Sequence, residues 1–315
     1  MLHFVIRKLA STLVVMLVVA VIVFLLIHLS PGDPAAVIAG DRANAEDVEH
    51  IRKSLGLDEP LIYQFIFWIV RLLHGDLGVS LFTRLPVLDL VTQRLEPTLG
   101  LSVVTMTFAV VMALPLGILA AWKVGTWVDR VIMAFAVAAF SFPIFIIGYG
   151  LVYSFALTWR IFPVQGYTPL AKGLLPFLNH LVLPGVTLGL VFMALLTRMT
   201  RSTMIEVLGE DYIRTARAKG LGTSAVLLRH ALKNAAVPIV TTIGTGIALL
   251  IGGVVVTESV FAIPGIGRLT IDAVTQRDYP VIQGVILLSS FAYVLVNFLI
   301  DLSYGLFDPR IRTTS

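Results

Sequence analysis

The stretch "EDYIRTARAKGLGTSAVLLRHALKNAAVP" (Glu210–Pro238) is basic, rich in small residues and set between two long apolar runs. It has the composition of a soluble segment, and the rest of the chain does not. Of the 315 residues, 57% are hydrophobic and 13% charged, against about 45–50% and about 25% in soluble domains. A bilayer is the solvent that such a chain fits. The formal charge of +4 gives no reason to expect nucleic acid as a partner. With no cysteine, disulfides, thiolate metal sites and thiol nucleophiles are excluded.

A hydrocarbon core takes about 20 predominantly apolar residues per helix. Six windows meet that requirement: 9–29, 97–121, 131–157, 181–199, 235–257 and 281–306. The third is long enough to tilt. The first, 21 residues behind Arg7 and Lys8, exceeds the roughly 7–15 residues of a signal peptide's apolar region and has no small-x-small site after it, so an uncleaved span is expected. Lysine and arginine set the orientation. With the N-terminus inside, thirteen of them fall in inner segments, seven of those within 198–234, against four in the two short outer loops. The long segment 30–96 is set aside, because long translocated segments escape this rule. The expectation is an all-α polytopic membrane protein with six transmembrane helices and both termini cytoplasmic. Trp122, Trp127 and Trp159 fall at the expected interfaces.

The outer segment reads as two short helices. Asn44 suits the cap of the first, with Glu46 and Asp47 in its first turn and Gly56 beyond its end. Pro60 suits the start of the second, whose Leu61, Phe65, Ile69 and Leu72 share a face until Gly75. A platform for an extracytoplasmic partner and a lid on the membrane surface fit these helices equally.

Few groups could couple transport to an ion gradient. Asp301 lies in the last span, where the inner interface explains it better than a relay does, and Glu258 sits at the outer end of the fifth. The chain has no phosphate-cradling loop of its own, because no Gly–Lys pair occurs in it. The six histidines are scattered, without H-E-x-x-H. "IGYGL" (Ile147–Leu151) lacks the preceding Thr-Val of a potassium filter, and its glycines suit close helix approach. A catalytic role and a resident cofactor or metal are not expected.

Within the basic stretch, Met204, Leu208, Tyr212, Ala216 and Lys219 carry helical spacing past the fourth span. Gly220 and Gly222 break it, and Thr223 or Ser224 suits the cap of a second helix running to about Ala231. The result is a helix–turn–helix knob over about 203–234. The small side chains of Thr215, Ala216 and Ala218, flanking Gly220, Leu221 and Gly222, let a partner approach the backbone, and Arg214, Arg217 and Lys219 add charge around them. A solvated loop obeying the positive-inside rule needs the arginines but not this alternation of alanine and glycine.

"DYIRTARAKGLGTSAVLLRHALKNAAVP" resembles the cytoplasmic loop of ABC-importer permeases, in the form typical of the dipeptide, oligopeptide and nickel class. Against the general pattern E-A-A-x-x-x-G-x9-I-x-L-P, Ala216 matches the second alanine, Gly220 the glycine and Leu232 the leucine. Arg214, Thr215, His230 and Lys233 depart from it in the manner of the peptide class. "SPGDPA", "GDLGVS", "RLEPTLGLS", "ESVFAIPGIGRL", "RDYPVIQ" and "DPRIR" extend the resemblance from end to end.

The resemblance implies a type I importer transmembrane domain over 96–306, preceded by an N-terminal helix and periplasmic helical segment (1–95) and followed by a cytoplasmic tail (307–315). It implies a second, homologous permease, two ATP-binding cassette ATPases that bind the ATP and magnesium, a periplasmic binding protein and surrounding lipid. A short coupling helix within 212–222 is expected to sit in a groove of an ATPase. The cargo implied is a dipeptide or oligopeptide, with glutathione or a nickel chelate as alternatives. A stand-alone facilitator and a membrane scaffold are the rival classes. For the pathway, the fifth span offers Gly244, Gly246, Gly252 and Gly253, with Glu258 at its outer end, although helix packing explains such glycines as well as a pore does. Pro143 and Pro238 suit either bends or helix ends.

Overall fold

Proline at 143 decides the course of the third span. The residue before a proline is driven out of helical geometry, and Phe142 is extended at φ −77°, ψ 133°. The helix therefore stops at Ser141 and restarts at Ile144, with a 100° change of direction. The single tilted helix expected over 131–157 is instead a broken pair. This computed structural model describes residues 2–29, 35–36, 44–54, 58–252 and 254–307. The sequence readings on Gly56, on most of "SPGDPA" and on "DPRIR" lie outside those residues.

In chain order the helices are α1 (Leu2–Leu29), α2 (Ala45–Ser54), α3 (Leu61–Leu73), α4 (Val87–Trp122) and α5 (Trp127–Ser141). They continue as α6 (Ile144–Leu151, prolonged by a π-helical stretch Val152–Thr158), α7 (Leu174–Leu208) and α8 (Asp211–Ala218). The remainder are α9 (Thr223–Asn234), α10 (Ala236–Ile251), α11 (Val255–Val260), α12 (Ile266–Gln276) and α13 (Tyr279–Phe307). Among the described residues, four helical stretches are long and apolar enough to cross a bilayer: Ile6–Leu29, Val87–Trp122, Leu174–Leu208 and Tyr279–Leu302. Counting each bent pair, α5 with α6 and α9 with α10, as one crossing brings the number to six. Pro238 lies in the first turn of α10, where a missing amide costs little.

The chain divides into two compact units. One consists of Glu96–Arg268 with Ala292 onward and the first five residues. Its core gathers Leu101 and Met106 of α4, Leu181, Leu188, Met193 and Leu196 of α7, and Phe261 and Ile263 after α11. Burying each such side chain contributes about 1.5–3 kcal/mol where water is the alternative. Between membrane helices the gain is close packing.

The other unit consists of Ile6–Leu95 with Leu269–Phe291. Here most of the face of α3 expected from its spacing packs: Ile69 and Leu72, joined by Trp68, lie against Ala20 and Val23 of α1 and Leu287 of α13, whereas Leu61 is exposed. The Phe65 ring meets Phe24 edge-on at 5.3 Å. The "GDLGVS" stretch is fixed by Ser80, whose hydroxyl donates to Asp278 Oδ2 at 2.5 Å, while the Leu81 amide donates to Asp278 Oδ1 at 3.2 Å. Burial pushes the Asp76 carboxyl up, but hydrogen bonds from the Gly78 amide and Arg71, with the Arg71 charge, hold it below the usual carboxylate range.

Candidate functional site: the basic loop 203–234

After Leu208 the backbone turns through Gly209, and Glu210 becomes the extended N-cap of α8. Asp211 lies in the first turn and Arg217 in the last, each complementing the helix dipole. Two residues of α8 point inward. Ile213 is 0% exposed and packs with Met204, Ala121, Val226, Leu227, Ala231 and Ile239, and Ala216 is 7% exposed. The Tyr212 hydroxyl accepts from Asn234 Nδ2 at 2.8 Å, tying α8 to the end of α9. The loop is thus a small packed body and not a solvated linker.

The outward face of α8 and the turn after it consist of Arg214, Thr215, Arg217, Ala218, Lys219, Gly220, Leu221 and Gly222, all exposed. Ala216 does not belong with them. It is buried, so the small-residue surface expected from the sequence is carried by Thr215, Ala218 and the glycines. Gly220 sits at φ +80°. The Leu221 amide donates to Ala216 O at 3.3 Å and the Gly220 amide to Arg217 O at 2.9 Å. That pair is the Schellman closure of a helix, which demands a left-handed residue and so favours glycine. The second helix is capped differently from the expectation. Gly222 is its N-cap, and neither Thr223 nor Ser224 supplies the cap, since both lie beyond it. Gly222 has ordinary geometry (φ −64°, ψ 153°), and nothing lies within 4 Å of a Cβ placed there.

Support for the knob comes from a residue pair that sequence reading left unassigned. Asp129, at the start of α5, accepts from Arg201 Nε at 2.6 Å and Arg201 Nη2 at 2.7 Å, and its Oδ2 also accepts from the Gly125 amide at 3.0 Å. The fork holds the turn between α4 and α5 against α7 two residues before the knob begins. A cavity of about 270 Å³, lined by Trp122, Arg217, Leu221, Thr223, Val226 and Leu227, opens beside it.

The described residues among those suggested for a pathway have structural surroundings of their own. Gly244 faces Ile300, whose Cδ1 would lie 2.2 Å from an added Cβ, so this glycine serves helix packing. Gly252 is exposed at the end of α10, and Gly253 lies outside the described residues. Glu258 is 0% exposed. Its Oε1 accepts from the Thr98 hydroxyl at 2.9 Å and its Oε2 from the Arg268 amide at 2.8 Å. The Thr98 oxygen accepts from the Ile266 amide at 2.9 Å, so the two side chains together cap the N-terminus of α12. Gly265 gives the carboxylate room: a Cβ there would lie 2.0 Å from Oε1. An open groove of about 420 Å³ runs instead between α4 and α10, lined by Leu99, Val103, Met106 and, on α10, Ile247 and Ile251. Ser–hydrophobic spacing on α4 carries no signal that distinguishes such a groove from a lipid face.

Long apolar helices, two bent pairs among them, and a packed basic loop define a polytopic α-helical membrane protein. The family described as "Binding-protein-dependent transport system inner membrane component" matches residues 113–313, and the N-terminal family of the same systems matches residues 1–102. The chain belongs to this family of inner-membrane permeases of ABC importers, whose members are non-catalytic subunits. It is 53% identical over 309 residues to a probable peptide ABC transporter permease protein, y4tP, of Sinorhizobium fredii, covering 98% of this chain and 99% of that one. It is 42% identical over 312 residues to the glutathione transport system permease protein GsiC of Escherichia coli K12, covering 99% of each. Among solved structures, the inward-facing MetNI methionine ABC transporter matches with a TM-score of 0.53 at 20% identity, over 70% of this chain and 96% of that one. A second crystal form of it gives 0.56 at 18% identity. The type I importer permease fold follows from these.

Proposed function

We propose that this permease translocates dipeptides and oligopeptides inward, and that α8 with its Gly220–Gly222 turn is the joint through which partner ATPases drive it. The observation that carries the reading is the division of labour in α8. Ile213 and Ala216 root the helix in the body, while Arg214, Arg217 and Lys219 surround a low-relief surface of Thr215, Ala218, Gly220 and Gly222. A rooted helix transmits force, and a flat basic surface suits close docking on a partner with acidic rims. In this reading both termini and the knob are cytoplasmic, and the two ATPases hold ATP and magnesium. A second homologous permease completes the pathway, and a periplasmic binding protein delivers the cargo. The groove lined by Val103, Met106, Ile247 and Ile251 forms part of the pathway wall.

Peptide cargo is supported by the probable peptide permease at 53% identity, and the glutathione permease at 42% carries a molecule that is itself peptide-like. Reconstituting the complex in liposomes with ATP inside tests the cargo. Accumulation of a labelled dipeptide or oligopeptide, competed by unlabelled peptide and not by a nickel chelate, is the expected result. Uptake of glutathione alone assigns the glutathione alternative. Uptake without ATPases returns the chain to the stand-alone facilitator class.

A further inference from the structure

We infer that the pocket between the end of α1, helix α3 and the hairpin before α4 binds an anionic phospholipid by its headgroup, in the leaflet where α1 ends. The pocket has a volume of about 340 Å³. Its floor is apolar and aromatic, with Phe24 and Ile27 of α1 and Phe67 and Trp68 of α3, and two guanidinium groups, Arg71 and Arg84, stand at its polar side. Everything that lines it belongs to one compact unit, 6–95 with 269–291.

Three observations point to a lipid. First, the two arginines are not equivalent. Arg71 is neutralised by Asp76 at 2.7 Å, whereas Arg84 has no acidic partner among the described residues. Second, Arg84 is held at φ +59°, a left-handed conformation disfavoured for a side chain of that size. The hairpin that holds it is closed by the Ser80 amide donating to Leu85 O at 2.9 Å and the Arg84 amide to Ser80 O at 3.1 Å, and is anchored through Ser80 to Asp278. A strained backbone thus places a cation with no acidic partner among the described residues in the lining of this pocket. Third, α3 is 13 residues long, about 20 Å at 1.5 Å per residue, and too short to cross a membrane. Yet the face turned away from α1 exposes Ile62, Tyr63, Ile66, Val70 and Leu73.

A soluble partner alone does not explain such a face on a helix that packs against α1, a membrane span whose own Ile22, Leu26 and Leu29 are exposed. An interfacial helix with apolar residues in the acyl region and arginines at headgroup level does. The chemistry is a phosphodiester paired with Arg84, its acyl chains running over Phe67 and along α1. Unlike the general attraction of basic residues to anionic membranes, this pairing has one cation and one pocket.

The test uses the purified transporter complex with phosphatidylglycerol or phosphatidylcholine added in detergent, followed by native mass spectrometry and thermal unfolding. Wild type is expected to retain one phosphatidylglycerol more than Arg84→Gln per copy of this chain, and to gain several degrees in Tm from phosphatidylglycerol but not from phosphatidylcholine. Arg84→Gly removes the backbone strain and is expected to raise the lipid-free Tm while losing the lipid-dependent gain, which separates ligand loss from misfolding. Equal lipid retention by wild type and Arg84→Gln overturns the inference. Equal stabilisation by water-soluble glycerol 1-phosphate also overturns it, by making the ligand a free phosphate. Because the chain has no cysteine, a single Ile66→Cys can be cross-linked in native membranes, and efficient capture of the second permease would show a protein and not lipid on this face.

Discussion

Arg201 donates from Nε and Nη2 to the two oxygens of Asp129 at 2.6 and 2.7 Å, clamping α7 to the α4–α5 turn just before the basic knob. Asp129 is 4% exposed, so its charge has little access to water apart from this fork. Removing one partner leaves a charge stranded, which costs about 3–5 kcal/mol when both are fully buried. Because Arg201 reaches solvent in part, Arg201→Ala is expected to cost about 2 kcal/mol, read as a lower Tm of the detergent-purified permease. Arg201→Lys is expected to recover part of the loss, since it keeps the charge and gives up the fork. An unchanged Tm in Arg201→Ala would show that water serves Asp129 as well as the guanidinium does.

The two glycines of the knob should separate in their effects. Gly220→Ala meets open space but has to hold φ +80°, so it is expected to cost this chain about 1 kcal/mol. Gly222→Asp adds a side chain into equally open space at an N-cap position that favours aspartate. Its stability is expected to be unchanged while transport falls at least tenfold, because the added group and its negative charge stand only in a partner's way. Normal transport by Gly222→Asp at equal membrane abundance would remove the docking surface from this turn.

Glu258 is expected to behave as a structural residue. Glu258→Gln can no longer accept from both the Thr98 hydroxyl and the Arg268 amide, and a buried hydrogen bond to a charged group contributes about 1.5–3 kcal/mol. Membrane abundance and Tm should fall, with the Michaelis constant for cargo unchanged in the protein that does fold. Gly265→Ala, which drives a methyl into the same carboxylate, should resemble it. A raised Michaelis constant with undisturbed stability would place Glu258 in the pathway.

Gly244 provides a packing test. Gly244→Ala meets Ile300 Cδ1 and Cγ1 at 2.2 and 2.3 Å, and overpacking of this kind costs about 1–3 kcal/mol. The double variant Gly244→Ala with Ile300→Ala is expected to recover most of the Tm lost by the single one. No recovery would mean that the glycine serves something other than α13.

Sequence reading carried the fold a long way, because apolar run length and the placement of lysine and arginine are chemistry that a bilayer imposes directly. It also located the face of α3 that packs, through Phe65, Ile69 and Leu72. It named Pro143 as a bend or a helix end without deciding between them, since an apolar window of 27 residues from 131 to 157 looks the same whether straight or bent by 100°. It placed Ala216 on the surface of the knob because helical spacing alone does not say which face has a body behind it. Asp129 with Arg201, Thr98 with Glu258 and Ser80 with Asp278 are separated by 72, 160 and 198 positions. No local pattern links such pairs, so none of the three was paired from the sequence.

The most direct measurement is affinity capture of this chain from its native membrane in mild detergent, wild type beside Gly222→Asp, with quantitative mass spectrometry of what accompanies each. The expected result is a second permease with both, and ATP-binding cassette ATPases with wild type only. ATPases retained at full stoichiometry by Gly222→Asp, with transport intact, would contradict the assignment of the knob as the coupling joint.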